Sequence, residues 1–151
     1  MKLVMLFVCL AAICTSAFAQ EQSLEDFFTQ YTERWGPTAN VDAIVSDFWD
    51  AAAVIFPAGQ PAINLTDQSE ITAMLSATMQ PVIEAGWQRT ELLGLISCEL
   101  RADQALVGIE FRRLFQDGAM TTDSAVYFVR SDEAGWKIQS VSLTDTSDVG
   151  C

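Results

Sequence analysis

Apolar residues recur at helical spacing from Leu24 through Phe27, Phe28, Tyr31 and Trp35, forming the stripe of an amphipathic helix. Ser23 precedes them as an N-cap, with Asp26 three positions on. Gly36-Pro37 ends this helix. Asn40 opens a second, shorter one with Val41, Ile44, Val45, Phe48 and Trp49 on its apolar side. Residues 52–56 read as a strand, which Pro57-Ala58-Gly59 turns. Asp67 and Glu70 start a third helix, striped by Ile71, Met74, Leu75 and Met79 and expected to stop at Pro81. Beyond Trp87 the period drops to two. Four strands are predicted at roughly 88–101, 104–116, 120–131 and 135–144, with breaks at Ala102-Asp103, Asp117-Gly118 and 132–135. The tail after Leu143 is polar and predicted to be loose.

A two-residue turn at Asp117-Gly118 would set Arg112 opposite Asp123 and Phe111 opposite Ser124. Carried through the other turns, that register gives two faces. Leu92, Ile96, Cys98, Val107, Ile109, Phe111, Val126, Phe128, Val141 and Leu143 form the apolar one, which should receive the helices. Leu93, Leu95, Glu99, Glu110, Arg112, Asp123, Tyr127, Trp136, Ile138, Ser140 and Ser142 form a mixed face, suited to solvent or a subunit interface. A slip of one residue exchanges the two sets.

The first nineteen residues follow a different rule. Met1-Lys2 gives a basic start, residues 3–13 are almost wholly apolar, and Ala17-Phe18-Ala19 places small residues before Gln20. This is the layout of a secretory signal peptide, too short to span a bilayer. It predicts one mature domain over 20–151, secreted or periplasmic, with no stable membrane anchor after processing. Removing Cys9 and Cys14 leaves Cys98 and Cys151. An exported pair allows one disulfide; a buried free thiol and a frayed terminal one are the alternative.

Composition then removes whole classes of function. The 151 residues contain no His, so His-based acid/base work, Ser-His-Asp triads and His-ligated metals are excluded. A net charge of −12 opposes nucleic acids and anionic membranes, which need clustered Lys and Arg. No metal or cofactor is expected. Asn64-Leu65-Thr66 is a glycosylation sequon, relevant only in a eukaryotic secretory pathway.

Helices, a short strand pair, a helix and a long curved antiparallel sheet make an order that resembles the nuclear transport factor 2-like superfamily. That superfamily includes ketosteroid isomerase, SnoaL-type polyketide cyclases and limonene epoxide hydrolase. Residues 41–45 through Phe48 to Ala53-Val54-Ile55-Phe56-Pro57-Ala58-Gly59 look like its helix–strand–Pro-x-Gly segment, and Gly135-Trp136-Lys137-Ile138 resembles its last-strand start. The resemblance implies an α+β, cone-shaped curved sheet packed on N-terminal helices. It also implies an apolar pocket between the layers and, often, a homodimer through the sheet face.

The chemistry of those relatives can be tested by position. Isomerases place a general-base Asp just before the Pro-x-Gly proline, where this chain has Phe56, and a protonated acid in the third long strand, where it has Val126. Only the first-helix tyrosine has a counterpart, Tyr31. Without both carboxyl groups, proton abstraction beside a carbonyl has no base and no acid donor. A cyclase-type His is missing as well. Glu110, Arg112 and Asp123 could form the carboxylate–Arg–carboxylate group of epoxide hydrolases, or a cross-strand ion cluster on the mixed face. Asp47 and Asp50 suit a solvated helix end better than a Ca²⁺ site, lacking the alternating oxygen ligands. Ser140 and Ser142 lack a base.

No catalytic residue is assigned. Tyr31, Trp35, Trp49, Phe56 and Trp87 form an aromatic set that is either plain core or the mouth of a pocket. The reading adopted is an exported protein that binds a small apolar or amphipathic molecule. Tyr31 is its polar contact, and Trp35, Trp49, Phe56, Phe111, Val126 and Phe128 are its walls. A non-standard hydrolase, isomerase or cyclase, or a dimerising accessory module, is the alternative.

Overall fold

A computed structural model describes residues 22–149. The expected signal peptide at 1–19 and its cleavage site lie outside the described residues, as does Cys151. Helices α1 (Leu24–Glu33) and α2 (Val41–Phe48) lead into strands β1 (Trp49–Phe56) and β2 (Ile63–Leu65). Helix α3 (Gln68–Glu84) follows, then β3 (Trp87–Arg101), β4 (Gln104–Phe115), β5 (Met120–Asp132) and β6 (Gly135–Thr144). The six strands make one sheet in the order β2-β1-β6-β5-β4-β3, antiparallel except for the parallel β1–β6 pair.

The helix starts follow the caps. Ser23 Oγ accepts from Asp26 N–H, Asn40 Oδ1 from Ala43 N–H, and Asp67 Oδ1 from Ser69 and Glu70 N–H. Each satisfies a backbone donor that the first turn leaves without an intrahelical acceptor. The end of α2 is held differently. Lys137 Nζ donates to the Ser46 and Asp47 carbonyls at 2.9 and 2.7 Å, setting a positive charge on the helix C-terminus. Trp136 Nε1 donates to the Gln22 carbonyl and ties the entry of α1 to β6. One expected boundary shifts: α3 runs past Pro81 to Glu84. The proline removes a single ladder bond, and the helix closes on Gly86, whose φ of 87° only glycine adopts cheaply.

Three local irregularities correct the expected faces. The β4–β5 turn encloses three residues, 116–118, inside the Phe115–Ala119 pair, whose Phe115 N–H donates to the Ala119 carbonyl, so Phe111 faces Asp123 and Arg112 faces Thr122. That one-residue slip turns Ala125, Tyr127 and Val129 inward and puts Val126 and Phe128 on the outer face. A bulge at Leu93 keeps Leu92 inside, opposite Phe111, but sends Ile96 and Cys98 outward and brings Leu95 in. A second bulge at Gln139 lets both Ile138 and Val141 point inward. Bulges increase bend and twist, and these two lie on the long strands that curve round the helices.

The inner face and helices share one core, with Phe28, Ile71, Val107, Ala125, Val129 and Ile138 fully covered. The outer face carries Leu106, Gly108, Val126, Phe128, Ser140 and Ser142. A Cβ added to Gly108 would lie 1.7 Å from the Ser147 carbonyl oxygen. The C-terminal tail is therefore seated on the sheet at Gly108, where the sequence predicts a loose segment.

Candidate functional site

Between the inner face and the helices lies a cavity of about 200 Å³. Tyr31, Thr32 and Trp35 reach it from α1 and the turn after it, Trp49 and Ile55 from β1, and Met74, Leu75, Thr78 and Met79 from α3. Trp87 and Thr90 come from β3, Ile109, Phe111 and Arg113 from β4, Tyr127 from β5, and Val141 and Leu143 from β6. The contributions follow from periodicity. Tyr31 and Trp35 are four apart on one helix stripe, while Ile109, Phe111 and Arg113 alternate along one strand.

The aromatic rings meet edge to face. Tyr31 lies 6.0 Å from Trp35 and 5.9 Å from Tyr127, centroid to centroid, both nearly perpendicular. Burial pushes the Tyr31 phenol up to about 12, only partly offset by the polar groups of Trp35, Tyr127 and Trp49 around it. Burial also raises Tyr127 well above the usual tyrosine value, and the neighbouring Tyr31 oxygen adds to it. Both phenols are neutral at physiological pH and keep their protons.

The polar lining is sparse. Thr32 and Thr78 turn their hydroxyls back to the Phe28 and Met74 carbonyls of their own helices. Among the described residues Arg113 is the one cation of the lining. Asp123 holds its guanidinium, which also sits 4.9 Å from the centre of the Phe111 ring. Among the described residues, Trp49 Nε1, Trp87 Nε1 and Thr90 Oγ1 are covered and make no well-formed hydrogen bond, although the Trp49 indole lies beside the Tyr31 hydroxyl. No Asp, Glu, Asn or Gln among the described residues lines the cavity.

Of the walls expected from sequence, Tyr31, Trp35, Trp49 and Phe111 meet in this cavity. Phe56 does not; it pairs with Ser142 on the outer side and is 45% exposed. Val126 and Phe128 lie on the outer face for the reason of register given above. Tyr127, which the two-residue turn would have put outside, is a wall residue, as is Trp87. Thr90 and Arg113 had no signal of their own, since an isolated Thr or Arg in a long strand reads as solvated.

The acidic groups stay off the cavity. Arg112 binds Glu91 at 2.7 Å across β3–β4 and Arg113 binds Asp123, so the expected Glu110–Arg112–Asp123 cluster is split between the faces. Hydrogen bonds from Arg112 and then Arg89 hold Glu91 below the usual carboxylate range. Asp47 pairs with Arg34, while Asp50 accepts from Gln139 and Arg130. The Gln139 bond, with help from the Ala51 N–H and the Arg130 charge, lowers the Asp50 carboxyl.

A family model described as an NTF2-like protein (DUF6841) matches residues 20–146. Among solved structures, a domain of unknown function with a cystatin-like fold from Nostoc punctiforme superposes with a TM-score of 0.58 at 15% identity, covering 83% of this chain and 78% of that one. An NTF2-like protein with a cystatin-like fold from Novosphingobium aromaticivorans gives 0.58 at 16%, covering 80% and 82%. A ketosteroid isomerase-like protein from Erwinia carotovora atroseptica gives 0.54 at 16%, covering 83% and 96%. No curated protein sequence matches the chain. At these identities the structures share the fold, and they agree with the resemblance read from the sequence.

Proposed function

The chain belongs to the NTF2-like family DUF6841, and from that premise we propose that it is an exported protein that binds a small apolar or amphipathic molecule. The binding place is the cavity between sheet and helices. The observation that carries this reading is the lining itself: about 200 Å³ of space walled by tryptophan, tyrosine, methionine and branched side chains. A site of that kind takes up apolar surface, and a few polar groups orient it. Tyr31 is the polar contact, with Trp35, Trp49 and Phe111 as walls. Among the described residues the lining holds no carboxylate, which favours binding over proton abstraction.

Export is proposed on the Met1–Ala19 pattern. Cys98 is disulfide-bonded, and we assign Cys151 as its partner because cleavage near Ala19 would remove Cys9 and Cys14.

Native mass spectrometry of protein recovered from an exporting host tests these points together. The expected species has lost the first nineteen residues, holds one disulfide and carries an additional small mass. Self-association through the outer face, expected from the resemblance, is read from the same spectrum. A bare species that also takes up no hydrophobic probe would overturn the binding reading.

A further inference from the structure

Gly108 belongs to the outer face of the sheet, yet it is buried. What covers it is the backbone of Ser147, whose carbonyl oxygen lies where a Cβ would stand. The path of the tail follows from the pairing. Strand β6 ends at Thr144, opposite Ser124, and the chain bends at Asp145. Ser142, Val126, Gly108 and Ile96 form one row across β6, β5, β4 and β3. A tail that has reached Gly108 by Ser147 has therefore folded back over β5 toward the β3 edge. Ser147 and Val149 are half-buried while Thr146 and Asp148 are exposed, the alternation of an extended segment lying on a surface. The next row holds Ser140, Phe128, Leu106 and Cys98. Cys98 is disulfide-bonded. It stands one strand over and two residues along from Gly108, a diagonal of about 8 Å. Cys151 comes four residues after Ser147, and four extended residues span about 13 Å.

Resting on the Cys98–Cys151 assignment above, we propose that the tail is a strap: locked at Cys98, it occupies the outer face and keeps a second copy of the chain off it. The two rows beneath and beside the strap carry Ile96, Leu106, Val126 and Phe128 and no charged residue. In a chain of net charge −12, they are a surface that two copies can share without setting like charges against each other. A twofold contact brings the same patch of both copies together, and here the seated tail stands on that patch as a ridge. The two faces meet only when it leaves. A covalent lock holds the tail against the sheet at an effective concentration that a free copy does not match. Without the lock, a short polar terminus has little to hold it down. The homodimer that the resemblance implies is therefore open to this chain only when the strap is open.

The test is sedimentation velocity on the full mature chain over a concentration series. Oxidised wild type is compared with Cys98→Ser/Cys151→Ser, and with that double variant carrying Gly108→Ala, which sets a carbon where the Ser147 carbonyl lies. Non-reducing peptide mapping of the wild type reads the bond separately. Oxidised wild type is expected to stay monomeric. The double variant should self-associate at least about tenfold more tightly, and Gly108→Ala should strengthen that further. Phe128→Glu added to the double variant should restore the monomer. Amide exchange over 146–149 should be slow in the oxidised wild type and fast in the double variant. A correctly bonded wild type that dimerises as tightly as the variants, variants that stay monomeric throughout, or association that survives Phe128→Glu would each overturn the strap. A Cys98 that is free, or joined to a cysteine other than Cys151, would instead overturn the assignment beneath it. If Gly108→Ala fails to fold, the double variant and wild type reduced with dithiothreitol still decide between monomer and dimer.

Discussion

The inner and outer faces of the sheet are made from alternate residues of the same strands, yet they hold opposite kinds of surface. Inside, Trp49, Val107, Ile109 and Tyr127 are sealed, and Trp49 Nε1, Trp87 Nε1 and Thr90 Oγ1 make no well-formed hydrogen bond. Outside, Leu106, Val126 and Phe128 are only half-buried, and Arg112 and Glu91 satisfy each other. Apolar content alone does not separate the two: the outer face has valine, leucine and phenylalanine, and the inner has Thr90 and Arg113. What separates them is where the phase of the strands shifts, at the three-residue loop after Phe115 and at the bulges of Leu93 and Gln139.

The largest effect that can break this comparison is truncation. Trp49→Ala empties a fully covered site and should cost about 3–5 kcal/mol, whereas Phe128→Ala on the outer face should cost roughly 1 kcal/mol. Denaturant unfolding of the two variants would measure both; equal losses would erase the difference between the faces, and a larger loss at Phe128 would mean that they are exchanged. Next is the proposed disulfide. Cys151→Ser, or reduction, should lower stability by about 2–4 kcal/mol through the long loop it closes while leaving pocket binding intact. Two free thiols in freshly exported protein would sink the pairing.

The faces should also differ in pH response. Tyr31 ionises near 10 when unfolded and at about 12 when folded. The folded state therefore holds its proton longer, and stability should fall as pH rises from 10 to 12, by roughly 2–3 kcal/mol. Tyr31→Phe should flatten that limb, with a remainder from Tyr127, whose value is raised too. The carboxylates outside the cavity act at the other end. Glu91 and Asp50 are depressed in the fold. Their contribution is full above the unfolded carboxylate range and is lost as pH falls through the folded values. Unfolding measured from pH 2 to 12 should show Arg112→Gln lowering the neutral plateau and flattening the acid limb, with the slope of the alkaline limb unchanged.

The smallest effect contrasts two glycines. Gly108→Ala should cost about 1–3 kcal/mol and free the tail to protease, because the Ser147 backbone occupies the added carbon's place. Gly94→Ala meets nothing within 4 Å and should stay within about 1 kcal/mol of wild type. Limited proteolysis that failed to distinguish them would remove the tail from the sheet.

Much of the architecture was legible. Ser23, Asn40 and Asp67 announced their helices because a cap is a local hydrogen bond, decided within four residues. The long strands showed because period two is hard to imitate over a dozen positions. Register was not legible, since Gln116-Asp117-Gly118 fits loops of two or three residues equally and only the pairing of whole strands selects one. For the site this mattered more than for the fold. Tyr31, Trp35 and Trp49 were found from helix spacing, which a strand slip does not touch. Tyr127 was lost, and Val126 and Phe128 gained, through that single residue of loop. Pro81 shows the reverse error: a strong local signal overridden by the packing of α3.

The contact at Gly108 is one-sided in what it asks of the two positions. It receives a main-chain carbonyl, so it reads the path of the tail and not the identity of the residue there. The contact itself makes no demand on the side chain at position 147, only on the course of its backbone. Position 108 is confined to the single residue without a side chain. The demands of this contact are therefore asymmetric: any side chain at 108 displaces the tail, and a change of side chain at 147 does not move the backbone carbonyl that meets it.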